Sequence, residues 1–511
     1  MATQTQYSTA TQAYRNIDIK LEVLDYDFYV VDEISGLVET ASFTVDADSD
    51  IRRTCNISMM LRDKFSNNQL YEAEYWNAGN PFWFDKYLRI NLGIQDILTG
   101  EVVWNNQGIY LINSPSISYS AEDNTLSFEG VDLMAKLTGL RNGNLEGLDY
   151  VVPVGTKIST AMVDLIAQQG FNKYIILDPP QATVPYEIKI SAGSTSYDVL
   201  SELRDINPNW EIFFDVDGVF YFQEIASNFT SETSPTPFVD NETLQQLYMN
   251  YELETSFEDV KNYVEVYGGT NATNHTTTAV VSDSQVNVTL DMSIADMTAD
   301  YIYDFLITIG EATGTPVALT TKVDTIVIVD SASISVGTIT LSSNPIKYTN
   351  WDYIVRVVKS VTGDLTLTYL GYKQPFGMAW VEDATSPFYV GEPVSSSTGN
   401  TETSPTDAEW SKPEFKRQVR IVLSGSDYDN IYSNDLAMER AKYELYLRSY
   451  KNDNISLEIL PIYWLDVNQV IEFQLPNETK PDYWLIKEIS TDFDVDGTQS
   501  ITATRYYTAT V

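Results

Sequence analysis

Apolar and polar residues alternate along much of this chain. Ile17, Ile19, Leu21 and Val23 take every second position, with Asp18, Lys20 and Glu22 between them. A period of two marks a strand with one buried face. It returns at 51–61, 88–94, 108–112, 116–120 and 125–129, and turn-forming residues end the runs. The pattern predicts a β domain over 17–150, behind a flexible N-terminal arm over 1–16 that shows no period. From 151 to 250 helical spacing enters. Ile158, Met162, Leu165 and Ile166 share one face, with Thr156 or Ser159 as cap and Gly170 as stop. Ser196 is placed to cap a second helix bearing Val199, Leu200 and Leu203, and a hairpin follows about Asp215-Val216-Asp217-Gly218. These elements predict a small α/β domain over 151–250, with a Ser/Thr/Pro-rich joint at 226–237.

The rest of the chain is again strand-like. A strand at 257–268 precedes a β-rich insertion over 269–384, where 323–329, 337–341 and 365–370 carry the clearest strand signals. A return loop is expected over 385–414, through Ser386-Pro387-Phe388-Tyr389 and a Ser/Thr/Gly run. From 415 the pattern resumes. Asn434 is placed to cap a helix with Ala437, Ala441 and Leu445 four apart on one face. Strands at 455–459, 470–473, 483–489 and 501–506 follow, the last two joined by Asp494-Val495-Asp496-Gly497. The helix is expected to lie against a small barrel made by those strands, completed by 251–268. The fold class is therefore mainly β with α+β elements: two small β-barrels (17–150, and 251–268 with 415–511), a small α/β domain and a β-rich insertion. No exact internal repeat is visible in the sequence, although two barrels of similar plan can hide one.

Two groups of motifs resemble a known family. Ile51-Arg52-Arg53-Thr54-Cys55, then Trp104 with Gln107-Gly108 and Tyr110, then Asp132-Leu133-Met134-Ala135-Lys136-Leu137-Thr138-Gly139 occur in order over about a hundred residues. Leu465-Asp466-Val467-Asn468-Gln469-Val470-Ile471 and Leu485-Ile486-Lys487-Glu488-Ile489-Ser490, with a closing Asp-Gly turn, form the second group. They resemble tail and baseplate hub proteins of long-tailed phages of Gram-positive bacteria and of related contractile particles. Asn468-Gln469 stand where that family usually has Gly-Asp. The resemblance implies a structural virion protein, not an enzyme, with two β-barrel hub domains per subunit. It further implies a homotrimer at the tail tip or baseplate, assembled in the host bacterial cytoplasm. Such a trimer adapts a hexameric tail tube to a trimeric central spike or fibre and forms part of the DNA exit channel. Implied partners are the tail tube or distal tail protein, the central spike or fibre protein and the tape measure protein. The alternative is a host cell-wall carbohydrate-binding or glycan-cleaving tail protein.

Charge and chemistry narrow this picture. Lys plus Arg number 31 against 72 Asp plus Glu, a net charge of −41. That excludes a phosphate-neutralising surface for specific nucleic-acid binding. It suits solubility, and also a channel wall that repels passing DNA, for which outward positions such as Asp18, Glu22 and Glu129 are candidates. One cysteine rules out an intrachain disulfide, and no apolar run is long enough for a membrane span. The start is polar and uncharged, unlike a signal peptide.

No catalytic, cofactor or metal site is assigned. The lone Cys55 lies in an alternating strand as a small hydrophobe, and the lone His275 lies in a polar stretch, so they do not read as a nucleophile–base pair. Asp46, Asp48 and Asp50 have calcium-loop spacing, but Ile51 and Ile57 occupy the positions that need Gly and Glu, so a hairpin turn is the reading. Tyr75-Trp76 and Phe82-Trp83-Phe84 suit a core or an interface better than a sugar site.

Overall fold

Strand pairing organises the chain. The computed structural model describes residues 3–12, 14–34, 37–60, 83–119, 124–147, 149–226, 235–269, 271–281, 288–294, 301–310, 323–330, 335–338, 345–348, 353–359, 363–383, 386–389, 418–425, 428–429, 431, 433–449, 452–494 and 497–506. In order these form α1 (Gln4–Ala10), β1 (Ile17–Leu24), β2 (Val30–Ile34), β3 (Leu37–Asp46), β4 (Arg53–Met60), β5 (Tyr87–Gln95), β6 (Val102–Ile112), β7 (Ser116–Tyr119) and β8 (Asn124–Asp132). Then come β9 (Tyr150–Val152), α2 (Ile158–Gln168), β10 (Tyr174–Ile176), β11 (Ile188–Ile190), α3 (Ser196–Asp205), β12 (Trp210–Phe214), β13 (Phe220–Glu224), α4 (Asn241–Leu247) and β14 (Tyr248–Ser256). Next are β15 (Tyr263–Tyr267), β16 (Asn271–Val281), β17 (Val288–Ile294), β18 (Tyr301–Gly310), β19 (Val323–Asp330), β20 (Ser335–Thr338), β21 (Pro345–Tyr348), β22 (Tyr353–Lys359), β23 (Gly363–Gln374) and β24 (Phe376–Trp380). The chain ends through β25 (Arg420–Leu423), α5 (Asn434–Arg448), β26 (Asn452–Ile459), β27 (Val470–Phe473), β28 (Asp482–Phe493) and β29 (Gln499–Tyr506).

Two compact units result: residues 1–258 with 451–510, and residues 259–450. In the first, thirteen of the described strands join one sheet, ordered β14-β26-β29-β28-β3-β4-β8-β6-β5-β1-β2, with β27 on β28 and β7 on β8. The sheet contains a repeat that the sequence hides. β14-β26-β29-β28 and β3-β4-β8-β7 have the same spatial order and the same chain order, and their registers correspond. Leu457 sits between Tyr251 and Ile501, as Ile57 sits between Ala41 and Phe128. Ile455 sits between Leu253 and Ala503, as Cys55 sits between Phe43 and Gly130. The two sections join where β28 pairs antiparallel with β3, from Glu488↔Asp46 to Phe493↔Ala41.

Alternation explains the cores. Cys55, Ile57 and Met59 face one core, and Ile455, Leu457 and Ile459 the equivalent one, all at most 2% exposed. Full burial of each such aliphatic side chain contributes roughly 1.5–3 kcal/mol. α2 and α3 cover a third core with Phe214, Phe220 and Phe222 beneath them. Caps differ from expectation by a residue or two. Thr195 caps α3 in a reciprocal bond with Asp198, and Lys157 precedes α2 without a side-chain cap. Gly170 ends α2 at φ +88°.

The stretch 1–16, read as a flexible arm for want of a period, contains α1. One short helix gives no period to read. Polar bonds hold it instead: Gln6 Nε2 donates to Asn105 Oδ1 at 2.6 Å, Tyr7 Oη to the Phe238 carbonyl at 2.6 Å, and Arg15 Nη1 to the Pro461 carbonyl at 2.8 Å.

In the second unit β15 lies between β24, antiparallel, and β25, parallel. The β15–β24 ladder leads into a β16–β23 ladder, which belongs to one of two four-stranded sheets within residues 271–374. Ser433, not Asn434, caps α5, through Leu436 N at 3.2 Å, while Asn434 Oδ1 accepts Phe376 N at 3.1 Å. The packing partners of α5 are β24 and β15, which precede it, rather than the strands that follow it. Gly377 makes this docking close. A Cβ there would lie 2.3 Å from the backbone of Ala437 and Met438. Gly377→Ala is expected to cost about 1–3 kcal/mol by overpacking, read as a lower urea midpoint and as faster amide exchange in α5.

Candidate functional site: a buried charge junction and a polar groove

Chain segments far apart in sequence meet at Arg52 and Arg53, at the start of β4. Arg52 lies over the Phe213 ring, 4.0 Å from its centroid, and its Nη2 pairs with Glu211 Oε2 of β12 at 2.5 Å. Both side chains are at most 7% exposed. Glu211 also accepts Asn468 Nδ2 at 2.6 Å and Gln223 Nε2 at 2.9 Å, so its oxygens are bonded on both sides. Arg53 Nη1 donates to the Phe214 carbonyl at 2.8 Å, and its Nη2 pairs with Asp466. The Arg53 amide donates to Asp132 Oδ2 at 2.9 Å, and the Met134 amide to Asp132 Oδ1 at 2.9 Å, so Asp132 caps the turn of Leu133–Lys136.

Burial pushes the Asp132 carboxyl above its ordinary value, against the pull of these bonds and of Arg53. Burial also works against the Arg53 charge, but Asp466, Tyr110, Asp132 and Asp215 hold its pKa above the usual value. Asn468 has φ +59°, a left-handed conformation that Asn tolerates better than most residues, in the place where the resembled family has Gly. Its amide donates to the Ile486 carbonyl at 2.8 Å and orients the side chain toward Glu211. The junction thus joins both motif groups and the α/β segment. The sequence signal for it was adjacent arginines in an otherwise apolar strand region, but spacing alone did not name Glu211 or Asp466 as partners.

The outward face of β3, β4 and β8 forms the floor of an open groove of about 640 Å³. Its polar lining includes Ser42, Asn56, Ser58, Ser127, Glu129 and Asp492. Hydroxyls and carboxylates here suit hydrogen bonding to a partner.

The residues weighed for chemistry fall elsewhere. Cys55 is 1% exposed and burial pushes its thiol well above the usual range, so it offers no thiolate. His275 pairs with Tyr369 in the β16–β23 ladder. Asp46 Oδ1 accepts the Asp48 amide at 2.9 Å, and Asp50 accepts Tyr197 Oη at 2.8 Å, which is turn and packing chemistry. Asp215 Oδ1 accepts the amides of Asp217 and Val219 at 2.9 and 2.8 Å, with Gly218 at φ +75°. Trp83 and Phe84 make an edge contact at 4.9 Å, whereas Tyr75, Trp76 and Phe82 lie outside the described residues. Of the proposed wall positions, Asp18 is exposed, Glu129 lines the groove, and Glu22 pairs with Lys20 at 2.6 Å and Arg89 at 3.5 Å.

A family model described as a domain of unknown function (DUF5048) matches residues 407–509. The prophage MuSo2 43 kDa tail protein from Shewanella oneidensis is 10% identical, with 96% of this chain and 98% of that chain covered at a TM-score of 0.48. The tail protein from Neisseria meningitidis MC58 is 9% identical, with 95% and 96% covered, at 0.48. Prophage tail protein gp18 from Listeria monocytogenes EGD-e is 8% identical, with 95% and 94% covered, at 0.41. Each of these three is a tail protein. A search of curated proteins finds no match.

Breaking the junction from one side leaves a buried charge without its partner. Arg52→Met is expected to destabilise the protein by about 3–5 kcal/mol. Adding Glu211→Leu should recover much of that loss, giving a coupling energy in a double-mutant cycle measured by urea unfolding.

Proposed function

We propose that this protein is a structural hub of a phage tail or baseplate, acting as a homotrimer that adapts a hexameric tail tube to a trimeric spike or fibre. The observation that carries this reading is the repeated strand section within one continuous sheet. A chain with two like sections gives six like sections in a trimer, the match a six-to-three adaptor needs. The motifs behind the family resemblance support it as well. They meet at a junction made of paired charges, whose chemistry is that of holding segments together. The partners are the tube or distal tail protein on one side, the spike or fibre on the other, and the tape measure protein. Acidic side chains such as Glu129 line the DNA exit channel in this reading and repel the passing phosphates. The decoration carried on the β15–β24 ladder is the part of the expected 269–384 insertion that lies between those strands, residues 271–374, because β24 itself pairs with β15 and packs under α5.

Light scattering should give three times the chain mass for the purified chain alone, or a complex holding three copies of the chain when tail partners are present. A strict monomer in both conditions overturns the hub reading. Replacing 271–373 with a short Gly/Ser linker should leave cooperative unfolding of the remaining protein intact, because loop closure depends only weakly on loop length. Loss of cooperativity shows that the segment belongs to the body.

A further inference from the structure

We infer that β7 of one copy pairs with β14 of the next, through the same kind of seam that joins β28 to β3 within the chain. This rests on the homo-oligomer of the proposed function but names its contact from the internal repeat. Within the chain, the far strand of one section (β28) meets the near strand of the other (β3). The two remaining ends are the matching halves of the same seam. β7 pairs only with β8, and β14 only with β26, among the described strands.

The register follows from the correspondence. Thr491 pairs with Gln499, which pairs with Ile459. Ile117 pairs with Leu126, which pairs with Met59. Ile117 therefore stands where Thr491 stands, and Leu253 stands where Phe43 stands. Thr491 pairs with Phe43 across the internal seam, so Ile117 is set opposite Leu253 across the external one. By the same steps Asp492↔Ser42 becomes Ser118↔Glu252, and Ser490↔Thr44 becomes Ser116↔Glu254.

Side chains agree with this placement. Phe43, under its seam, is 2% exposed, whereas Leu253 on the open edge is 41% exposed. A strand laid alongside would cover Leu253 with Ile117, which already packs against the adjoining core. Charge favours this pairing over its rivals. Glu252 and Glu254 meet serines in it, as Asp492 meets Ser42 in the internal seam. Two copies of β14 paired about a twofold axis would bring those glutamates together, and β2 would offer them Asp32 and Glu33. The contact is head-to-tail, so each copy presents one edge and accepts the other.

Cysteine cross-linking tests the register. Residues directly opposite across strands lie about 4.5–5.5 Å apart, within disulfide reach, whereas diagonal neighbours at about 7–8 Å are beyond it. The full chain carrying Ser118→Cys with Glu252→Cys is oxidised beside a shifted control, Ser118→Cys with Glu254→Cys. Ser118, Glu252 and Glu254 are all exposed, and native Cys55 is buried. The expected result is at least tenfold more covalently joined chains for the matched pair on a non-reducing gel. Light scattering of the same variants is read in parallel. An oligomer in which the matched pair links no better than the control overturns the seam and leaves the hub reading standing. A monomer at every concentration, alone and with tail partners, overturns both.

Discussion

A backbone amide inside a sheet has no water to bond, so every inner strand needs a neighbour on each side. β3 has β4 on one side, and on the other it is completed only by β28. That ladder makes one sheet from the two ends of the first unit, and much else depends on it. The junction around Arg53 and Asp466 lies within the same unit and ties the chain's first motif group to its last. The thirteen-stranded order, and the correspondence between its two sections, exist only because the ladder is formed.

Most strands are legible in the alternation, since Ile17–Leu24 and Arg53–Met60 each bury mainly one face; Tyr87–Gln95 keeps the alternating sequence although it is buried on both faces. β14 is not. Tyr248–Ser256 sits at the sheet's end, where most of its side chains are exposed, so no buried face imposes a period. The repeat was hidden for a related reason. Pairing conserves register and the apolar character of inward positions, which Cys55 and Ile455 satisfy with different side chains. The α5 docking is legible only in part, through β15 within the expected 251–268 strand, because an apolar helical face states that a partner exists, not which strand supplies it. In the sequence Asn468 stands out only as a departure from a family pattern. Its left-handed backbone explains why Asn stands in for Gly, and its side chain adds a bond that Gly lacks.

The charge junction also shows why composition said little about the site. A net charge of −41 describes the surface, while the organising charges are buried and paired. Buried pairs contribute little net stability over an apolar replacement, but they penalise any arrangement that separates the partners. At Arg52 and Glu211 this selects one relative placement of β4 and β12.

The ladder between β3 and β28 also sets an order in time. Val45 is synthesised roughly 440 residues before Ile489, its partner. At about 5–20 residues per second the edge of β3 waits on the order of twenty to ninety seconds for its neighbour. Throughout that interval the nascent chain carries an unfilled strand edge beside Phe43, which suits wrong pairings as well as the right one. Synthesis of this protein is therefore a period of sustained exposure, in which that edge stays open until the last strands emerge.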